Sequence, residues 1–359
     1  MIGKKPKRTL DEFVEERDAA RFKEHGQLTR DLRSVREAAR EQQERGDRLE
    51  KELGLYKVLS AAKVEPPVWL APKVPSKGHR AIPSLTVADI HRGEVVAPEQ
   101  IEGLNKYNIG IADQRVKRAF EGAIVLCRDY LKGVTFEGAM LLLPGDVVAG
   151  DIQQGRETNQ GTLAQNIMGC VEPLEAGVNL LVEGFGKVHV VCVPGNHARN
   201  TRKPIAKNRA ADNWDTLAYR IIERDYRNNP NVTVQVSDAA DAAFSIYNTR
   251  YVLTHGDQFH GGSGISGALA PLLLGAHRKT RRAAASGRPY DCLVMGHWHR
   301  RYQLPGVKVS GCICGYDEYA YVSNFEPEPA SAELWLTTPE HGITLTAPVF
   351  VQNRVEEGW

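Results

Sequence analysis

From residue 84 to the C-terminus, short apolar runs alternate with longer stretches in which apolar residues recur at helical spacing. The short runs are rich in Val, Leu and Ile and are typical of buried strands. They predict strands at 84–88, 139–143, 188–193, 232–236, 243–246, 251–254 and 292–295. The longer stretches predict helices at 105–131, 163–183 and 213–227. Because strand, turn and helix repeat in this order, we expect an α/β fold.

The N-terminal part of the chain has a different pattern, dense in Arg, Glu, Lys and Ala. Its apolar residues step at helical spacing along a thin stripe: Leu28, Leu32, Val35 and Ala39. We therefore expect a charged helical arm at 1–60, which pairs with a second copy of the chain or with a partner protein. A solvated, frayed arm fits the same pattern as well as a coiled coil does, because few heptads are sustained.

Residues 61–83 contain five prolines, at positions 66, 67, 72, 75 and 83. Repeated prolines break helices and favour extended chain. We interpret 61–83 as a proline-rich linker and 84–359 as the main folded domain.

Composition excludes several classes of protein. The chain has 359 residues, 42% hydrophobic and 25% charged, which are ordinary values for a globular protein. No apolar run reaches the roughly 18 residues of a membrane-spanning helix, and no apolar stretch follows the basic N-terminus, so we expect neither a membrane span nor a secretory signal. The net charge of +2 is no global signature of nucleic-acid binding, so any basic surface must be local.

The six cysteines form no CxxC pair, and most of them lie in apolar runs. They are Cys127, Cys170, Cys192, Cys292, Cys312 and Cys314. This usage predicts buried thiols and a reducing, cytoplasmic location.

Residues that commonly bind metals follow five of the apolar runs. They occur as Asp89-Ile90-His91, Gly145-Asp146, Gly195-Asn196-His197, His255-Gly256-Asp257 and Gly296-His297-Trp298-His299. Open α/β sheets place their sites at the carboxyl ends of strands. In an extended segment, residues i and i+2 point to the same side, so each Asp-x-His or His-x-His pair can reach one site. A carboxylate can bridge two cations and imidazoles suit Mn, Fe or Zn, and the donors are too many for one tetrahedral ion, so we expect two adjacent metals.

The five motifs together resemble those of the calcineurin-like metallophosphoesterase superfamily. Within it, residues 91–96 and 315–319 are most similar to phage-encoded members described as DNA repair exonuclease-like. The resemblance implies a four-layer αββα sandwich. It also implies two divalent ions, with Mn expected and Fe, Zn, Ni or Mg as alternatives.

The resemblance further implies a role for each residue of the motifs. One metal would be held by Asp89, His91, Asp146 and His299. The other would be held by Asp146, Asn196, His255 and His297, with Asp146 bridging. His197 would be the catalytic residue that protonates the leaving oxygen or stabilises its charge.

Two features depart from the pattern of the superfamily. Many relatives have an acidic residue directly after Gly-Asn-His, whereas this chain has Ala198 and Arg199. The Asp-Arg-Gly element of the protein Ser/Thr phosphatases is also absent after Asp146, which argues against a protein phosphatase.

Two basic runs flank the motifs and suggest an extended polyanion as substrate. We expect Arg199, Arg202, Lys203, Arg278 and Arg281 to contact it from loops near the metals. Trp214, Phe259, Trp298 and Tyr302 are candidates for stacking on bases, although Trp298 is expected to point into the core. Ordinary solvated charge is the competing interpretation of both runs.

The leading hypothesis is therefore a metal-dependent phosphodiesterase that acts on DNA as an exonuclease-like nuclease in phage or bacterial DNA metabolism. The alternative is a phosphodiesterase or phosphatase for small nucleotides, including cyclic ones. A catalytically inactive scaffold is a third hypothesis, and it is weakened because every ligand position is filled.

Overall fold

The computed structural model describes residues 79–152, 156–260 and 269–358, together with residues 17–18, 23, 26–27, 32–44, 47 and 67. The chain divides into two compact units, Met1–Glu65 and Pro66–Trp359. In the first unit, residues 32–44 are helical and carry exposed apolar side chains at Leu32 and Val35. Most of the predicted arm and of the predicted linker lies outside the described residues, so both stay predictions.

The second unit contains two β-sheets, the first of which has seven strands. Its strands are β1 (His79–Thr86), β2 (Val134–Phe136), β3 (Ala139–Leu143), β4 (Val188–Cys192), β5 (Val232–Val236), β11 (Ser331–Thr338) and β12 (Gly342–Phe350). Their order is β12-β11-β1-β3-β4-β5, with β2 paired to β1. β1, β3, β4 and β5 run parallel, whereas β11 is antiparallel to β1 and β12. β1 begins at His79 rather than at residue 84, so the end of the predicted linker is part of the sheet.

The second sheet of this unit has five strands. Its strands are β6 (Asp241–Ile246), β7 (Thr249–Thr254), β8 (Cys292–Met295), β9 (Tyr302–Leu304) and β10 (Val307–Val309), in the order β6-β7-β8-β10-β9. β7 and β8 run parallel, so their carboxyl ends meet at one edge.

Five of the helices begin where a side chain accepts a hydrogen bond from one of their first N–H groups. The helices of this unit are α1 (Ile109–Val125), α2 (Leu163–Phe185), α3 (Trp214–Tyr226), α4 (Leu269–Ala285), α5 (Glu318–Val322) and α6 (Arg354–Glu357). Asn108 caps α1, which ends earlier than predicted and continues as a π-helical turn at Leu126–Tyr130. A capping box between Thr162 and Gln165 starts α2. Among the described helices, none is both long and apolar enough to cross a membrane.

Period-2 alternation along the strands builds the layers. On β3, Ala139, Leu141 and Leu143 pack towards α1, α2 and α3, whereas Met140 and Leu142 pack against the second sheet. Helix α4 covers the other face of the second sheet with Leu272 and Ala276. The layers are therefore helices, sheet, sheet and helix, which confirms the predicted αββα sandwich. The six cysteines are all buried and free, as expected.

Helix α4 corrects one prediction. The basic run at 277–288 was expected in a loop, but residues 269–285 are helical because Leu272, Gly275, Ala276 and Lys279 bury one face at helical spacing. Arg278 and Arg281 lie on the exposed face of this helix.

Candidate metal centre

The carboxyl ends of the strands bring the predicted ligands together in three overlapping groups. They are Asp89, His91 and His299; His91, Asp146 and His197; and Asp146, His255 and His297. Within each group, the donor atoms lie within 4.8 Å of one another. The three groups form one continuous cluster, because His91 and Asp146 each belong to two of them.

The turns that carry these residues hold strained backbone. Nine described non-glycine residues have positive φ, and five of them are predicted ligands: Asp89, His91, Asp146, His297 and His299. Such conformations are uncommon for residues with a side chain, and they cluster at functional sites. Sequence reasoning did not find this feature, since none of these positions is a glycine.

In the first group, two imidazole nitrogens face each other, and one oxygen of the buried carboxylate has no hydrogen-bond partner among the described residues. The Nε2 atoms of His91 and His299 face each other at 3.0 Å. Asp89 is fully buried; its Oδ2 accepts from the backbone N–H of His297 at 2.9 Å, and its Oδ1 has no hydrogen-bond partner among the described residues. Burial raises the pKa of Asp89 to about 7. A cation beside Asp89 would remove the cost of burying its charge.

The third group is held together by a close contact between the carboxylate of Asp146 and the imidazole of His255. Asp146 Oδ2 lies 3.1 Å from His255 Nε2, and Asn196 Oδ1 lies 2.8 Å from the same nitrogen. His255 Nδ1 donates to the carbonyl of Pro144 at 2.8 Å, which turns Nε2 towards the site. Burial acts to raise the pKa of Asp146, but the imidazoles of His255 and His197 outweigh it and hold that pKa well below its usual value.

This donor set fits divalent cations. It combines buried carboxylates with imidazoles whose ring nitrogens face one another or face a carboxylate oxygen, and a cation between such atoms would be bound by both. Oxygen and imidazole donors together suit Mn, Fe or Zn. Asp89, His91 and His299 would hold one ion, and Asn196, His255 and His297 the other, with Asp146 between them.

His197 completes the second group, with His91 and Asp146. Its Nδ1 donates to the carbonyl of Ala149 at 3.1 Å, and its backbone N–H donates to Asp146 Oδ1 at 2.7 Å. Its ring centroid lies 4.4 Å from that of His91. Because Ala198 follows His197 in the chain, the hydrogen-bond partner of His197 Nδ1 is a neutral backbone carbonyl rather than an acidic neighbour. Burial lowers the pKa of His197.

The predicted substrate-binding residues fall into three situations. Arg199 uses its guanidinium within its own loop, donating to the carbonyls of Thr201 and Asn196 and, at 3.4 Å, of Arg202. Arg202 and Lys203 are exposed in the same loop, directly after Asn196 and His197. Arg278 and Arg281 lie on α4, so the prediction that they lie in a loop is wrong, whereas their contact with substrate stays a prediction.

The four aromatic candidates for base stacking pack into the protein. Phe259 is buried, and Trp214, Trp298 and Tyr302 pack against the hydrophobic cores, so Trp298 points inward as expected.

Sequence reasoning missed an exposed apolar surface beside the first group. Helix α5 and the turn after it expose three large side chains: Tyr319, Val322 and Phe325. Glu318 accepts from the backbone N–H of Ala97 at 2.8 Å, and Glu328 accepts from that of Arg301 at 2.8 Å. These contacts attach the 318–328 segment to the two chain segments that carry His91 and His299.

No protein-family model and no curated protein sequence matches the chain. Among solved structures, a dimetal phosphatase from Danio rerio aligns over 76% of this chain and 99% of its own, with 12% identity and a TM-score of 0.34. A predicted phosphoesterase from Streptococcus pneumoniae aligns over 75% and 97%, with 11% identity and a TM-score of 0.25. Vacuolar protein sorting 29 from Cryptosporidium parvum aligns over 75% and 96%, with 16% identity and a TM-score of 0.29. These are distant likenesses, and the chemistry of the site follows from the side chains of this chain.

Proposed function

We propose that the chain is a binuclear metal-dependent phosphoesterase of the calcineurin-like superfamily that hydrolyses phosphodiester bonds and acts on DNA as a nuclease. One observation carries the proposal: three overlapping groups of carboxylate and imidazole donors, joined through His91 and Asp146, offer ligands for two adjacent cations, and His197 belongs to the same cluster. Such a double site suits phosphoryl transfer, because two adjacent cations can stabilise both the attacking and the leaving oxygen.

The cations and His197 contribute differently to the proposed reaction. When bound, the cations supply charge neutralisation for the phosphate and a water of lowered pKa. His197 keeps its Nδ1 on the carbonyl of Ala149, which leaves Nε2 for the substrate. Donation to the leaving oxygen requires the imidazolium form, in which Nε2 also carries a proton. The negative charge of a bound phosphate would favour that form against the effect of burial, and transfer of the Nε2 proton to the leaving oxygen leaves the imidazole neutral. The bond from the His197 backbone to Asp146 Oδ1 keeps this imidazole in a fixed position relative to the shared carboxylate.

Two surfaces beside the site support a polynucleotide as substrate. Arg202 and Lys203 are exposed after the His197 turn and can contact backbone phosphates. On the side of His299, Tyr319 and Phe325 expose aromatic rings that can stack on bases. Manganese is the cation that we propose.

The proposal is tested by hydrolysis of bis-p-nitrophenyl phosphate, p-nitrophenyl phosphate and labelled linear DNA, each with Mn²⁺ and with EDTA. We expect metal-dependent turnover of the small diester and of DNA. The His197→Ala variant should lose about 10²–10⁴-fold in turnover, the usual contribution of a general acid, and should still bind metal. DNA affinity should fall steeply with salt.

The outcomes separate the hypotheses. Turnover of the small diester with intact DNA would favour the small-nucleotide phosphodiesterase. Binding of two metals with no turnover of any of the three substrates would contradict the enzymatic proposal and favour the scaffold.

A further inference from the structure

The two turns that carry Asp146 and Asn196 press backbone against backbone. A Cβ on Gly145 would lie 2.3 Å from the nitrogen of Gly195, and a Cβ on Gly195 would lie 2.0 Å from Asp146 Oδ1. Glycine at both positions is what permits the approach. The approach also places the N–H groups of Asp146 and Gly195 side by side, and buried donors of this kind need an acceptor.

Asp215 supplies that acceptor. Its Oδ2 accepts from Asp146 N at 2.8 Å and from Gly195 N at 2.9 Å, so one oxygen joins the two turns. Its Oδ1 accepts from Val147 N at 3.1 Å. The side chain is fully buried, and the residue is the second of α3, where the positive end of the helix dipole favours a carboxylate.

The start of α3 also holds the Asn196 turn directly. Asn213 Nδ2 donates to the carbonyl of Gly195 at 2.9 Å, and Trp214 N donates to that of Ala198 at 2.7 Å. Helix α3 therefore fixes the Asn196 turn and, through Asp215, fixes the Asp146 turn against it.

We propose that Asp215 is a positioning residue that sets the distance between Asp146 and Asn196, and thereby the spacing of the two cation sites. Asp215 acts through the backbone of the two turns rather than by touching substrate. The inference rests on the proposed function only for the identity of what the two sites hold.

Asp215→Asn is the informative variant. The amide has nearly the same size but only one oxygen, so its NH₂ group faces at least one of the three N–H donors. Asp215→Glu is a second variant, which keeps the charge but displaces both oxygens by one methylene. Thr216→Val is the matched control, because Thr216 is the next residue of α3 and is buried, and its Oγ1 has no hydrogen-bond partner among the described residues.

The first measurement is amide hydrogen exchange in the metal-free protein, read at single residues by mass spectrometry. In D215N we expect the amides of Asp146, Val147 and Gly195 to exchange at least tenfold faster than in the wild type, and in T216V we expect no change. Unchanged protection in D215N and D215E would overturn the proposal, whatever the chain binds.

The second measurement is Mn²⁺ binding followed by electron paramagnetic resonance. The wild type and T216V should bind two ions and show the spectrum of a spin-coupled pair. D215N and D215E should bind the second ion at least tenfold more weakly and lose the coupled signal. Normal coupling in both Asp215 variants would refute the role in spacing the metals. A wild type that binds no pair of ions would instead refute the proposed function, and the exchange data would still decide whether Asp215 holds the two turns.

Discussion

Replacing Arg115 with methionine tests how the C-terminus supports the site. Arg115 is fully buried in α1 and donates to Glu357 Oε2 at 2.7 Å and to Asn105 Oδ1 at 2.6 Å. It also donates to the carbonyls of Ile313 and Cys314, at 3.1 and 2.7 Å. The backbone N–H of Cys314 in turn donates to the carbonyl of Asp89 at 3.1 Å, so Arg115 supports the segment that lies against the first ligand.

The expected cost differs between the two partners of the buried ion pair. Breaking a buried pair costs about 3–5 kcal/mol, and R115M also leaves buried carbonyls without a donor, so we expect it to lose about 4 kcal/mol of unfolding free energy. Glu357→Gln should cost about 1–2 kcal/mol, because its amide oxygen still accepts and Arg115 keeps its bonds to carbonyls. Glu357 also contacts Arg118, so R115M does not leave it without a cation.

Urea unfolding at pH 7, followed by circular dichroism, measures these free energies. Lys117→Met is the matched control, since it removes a cation from the same helix where the side chain is 65% exposed; it should change stability by less than about 0.5 kcal/mol. The double variant should lose less unfolding free energy than the sum of the losses in R115M and E357Q, because the two residues are in contact. A cost for E357Q equal to or above that of R115M, or a K117M variant as unstable as R115M, would refute this reasoning.

Three further predictions concern the core, the site and the rim. Burial lowers the pKa of His189 to about 4. Below pH 6.5 this imidazole therefore binds a proton in the unfolded chain but stays neutral in the folded protein. Stability should therefore fall by about 2 kcal/mol between pH 7 and pH 5, and His189→Gln should remove this part of the loss in urea unfolding; an equal loss in both proteins would contradict it. Gly195→Ala should abolish binding of two Mn²⁺ ions in calorimetry, because its Cβ would lie 2.0 Å from Asp146 Oδ1, whereas Gly184→Ala, whose Cβ meets its nearest neighbour at 3.4 Å, should bind both. Tyr319→Ala should lower turnover of single-stranded DNA about tenfold, the value of one lost stacking contact, and leave turnover of bis-p-nitrophenyl phosphate unchanged; a parallel loss on both substrates would refute a role in substrate binding.

The four-layer sandwich was implied by the resemblance, whereas the residue pattern by itself predicted an α/β fold and the residues that meet in the candidate centre. Both signals are local. The apolar run at 188–193 predicts a strand, and the residues that follow it in the sequence necessarily lie at the carboxyl end of that strand. The Asp-x-His and His-x-His pairs needed only the i, i+2 geometry of extended chain to be expected on one side. The predictions for the start of β1 and for the 277–288 run were both wrong because they relied on local composition. Prolines suggested a linker where β1 tolerates Pro83, and charge suggested a loop where α4 buries its other face.

Only the tertiary structure decided what holds the centre in shape. Asp215 lies 69 residues from Asp146, and Glu357 lies 242 residues from Arg115. Asp215 bonds to backbone groups and Glu357 bonds to two arginines of a distant helix, so these contacts leave no periodicity and no motif in the sequence. The left-handed backbone of five predicted ligands likewise becomes visible only in the folded chain. The donors of this centre are thus encoded locally, whereas their spacing depends on long-range hydrogen bonds that form only once the chain has folded.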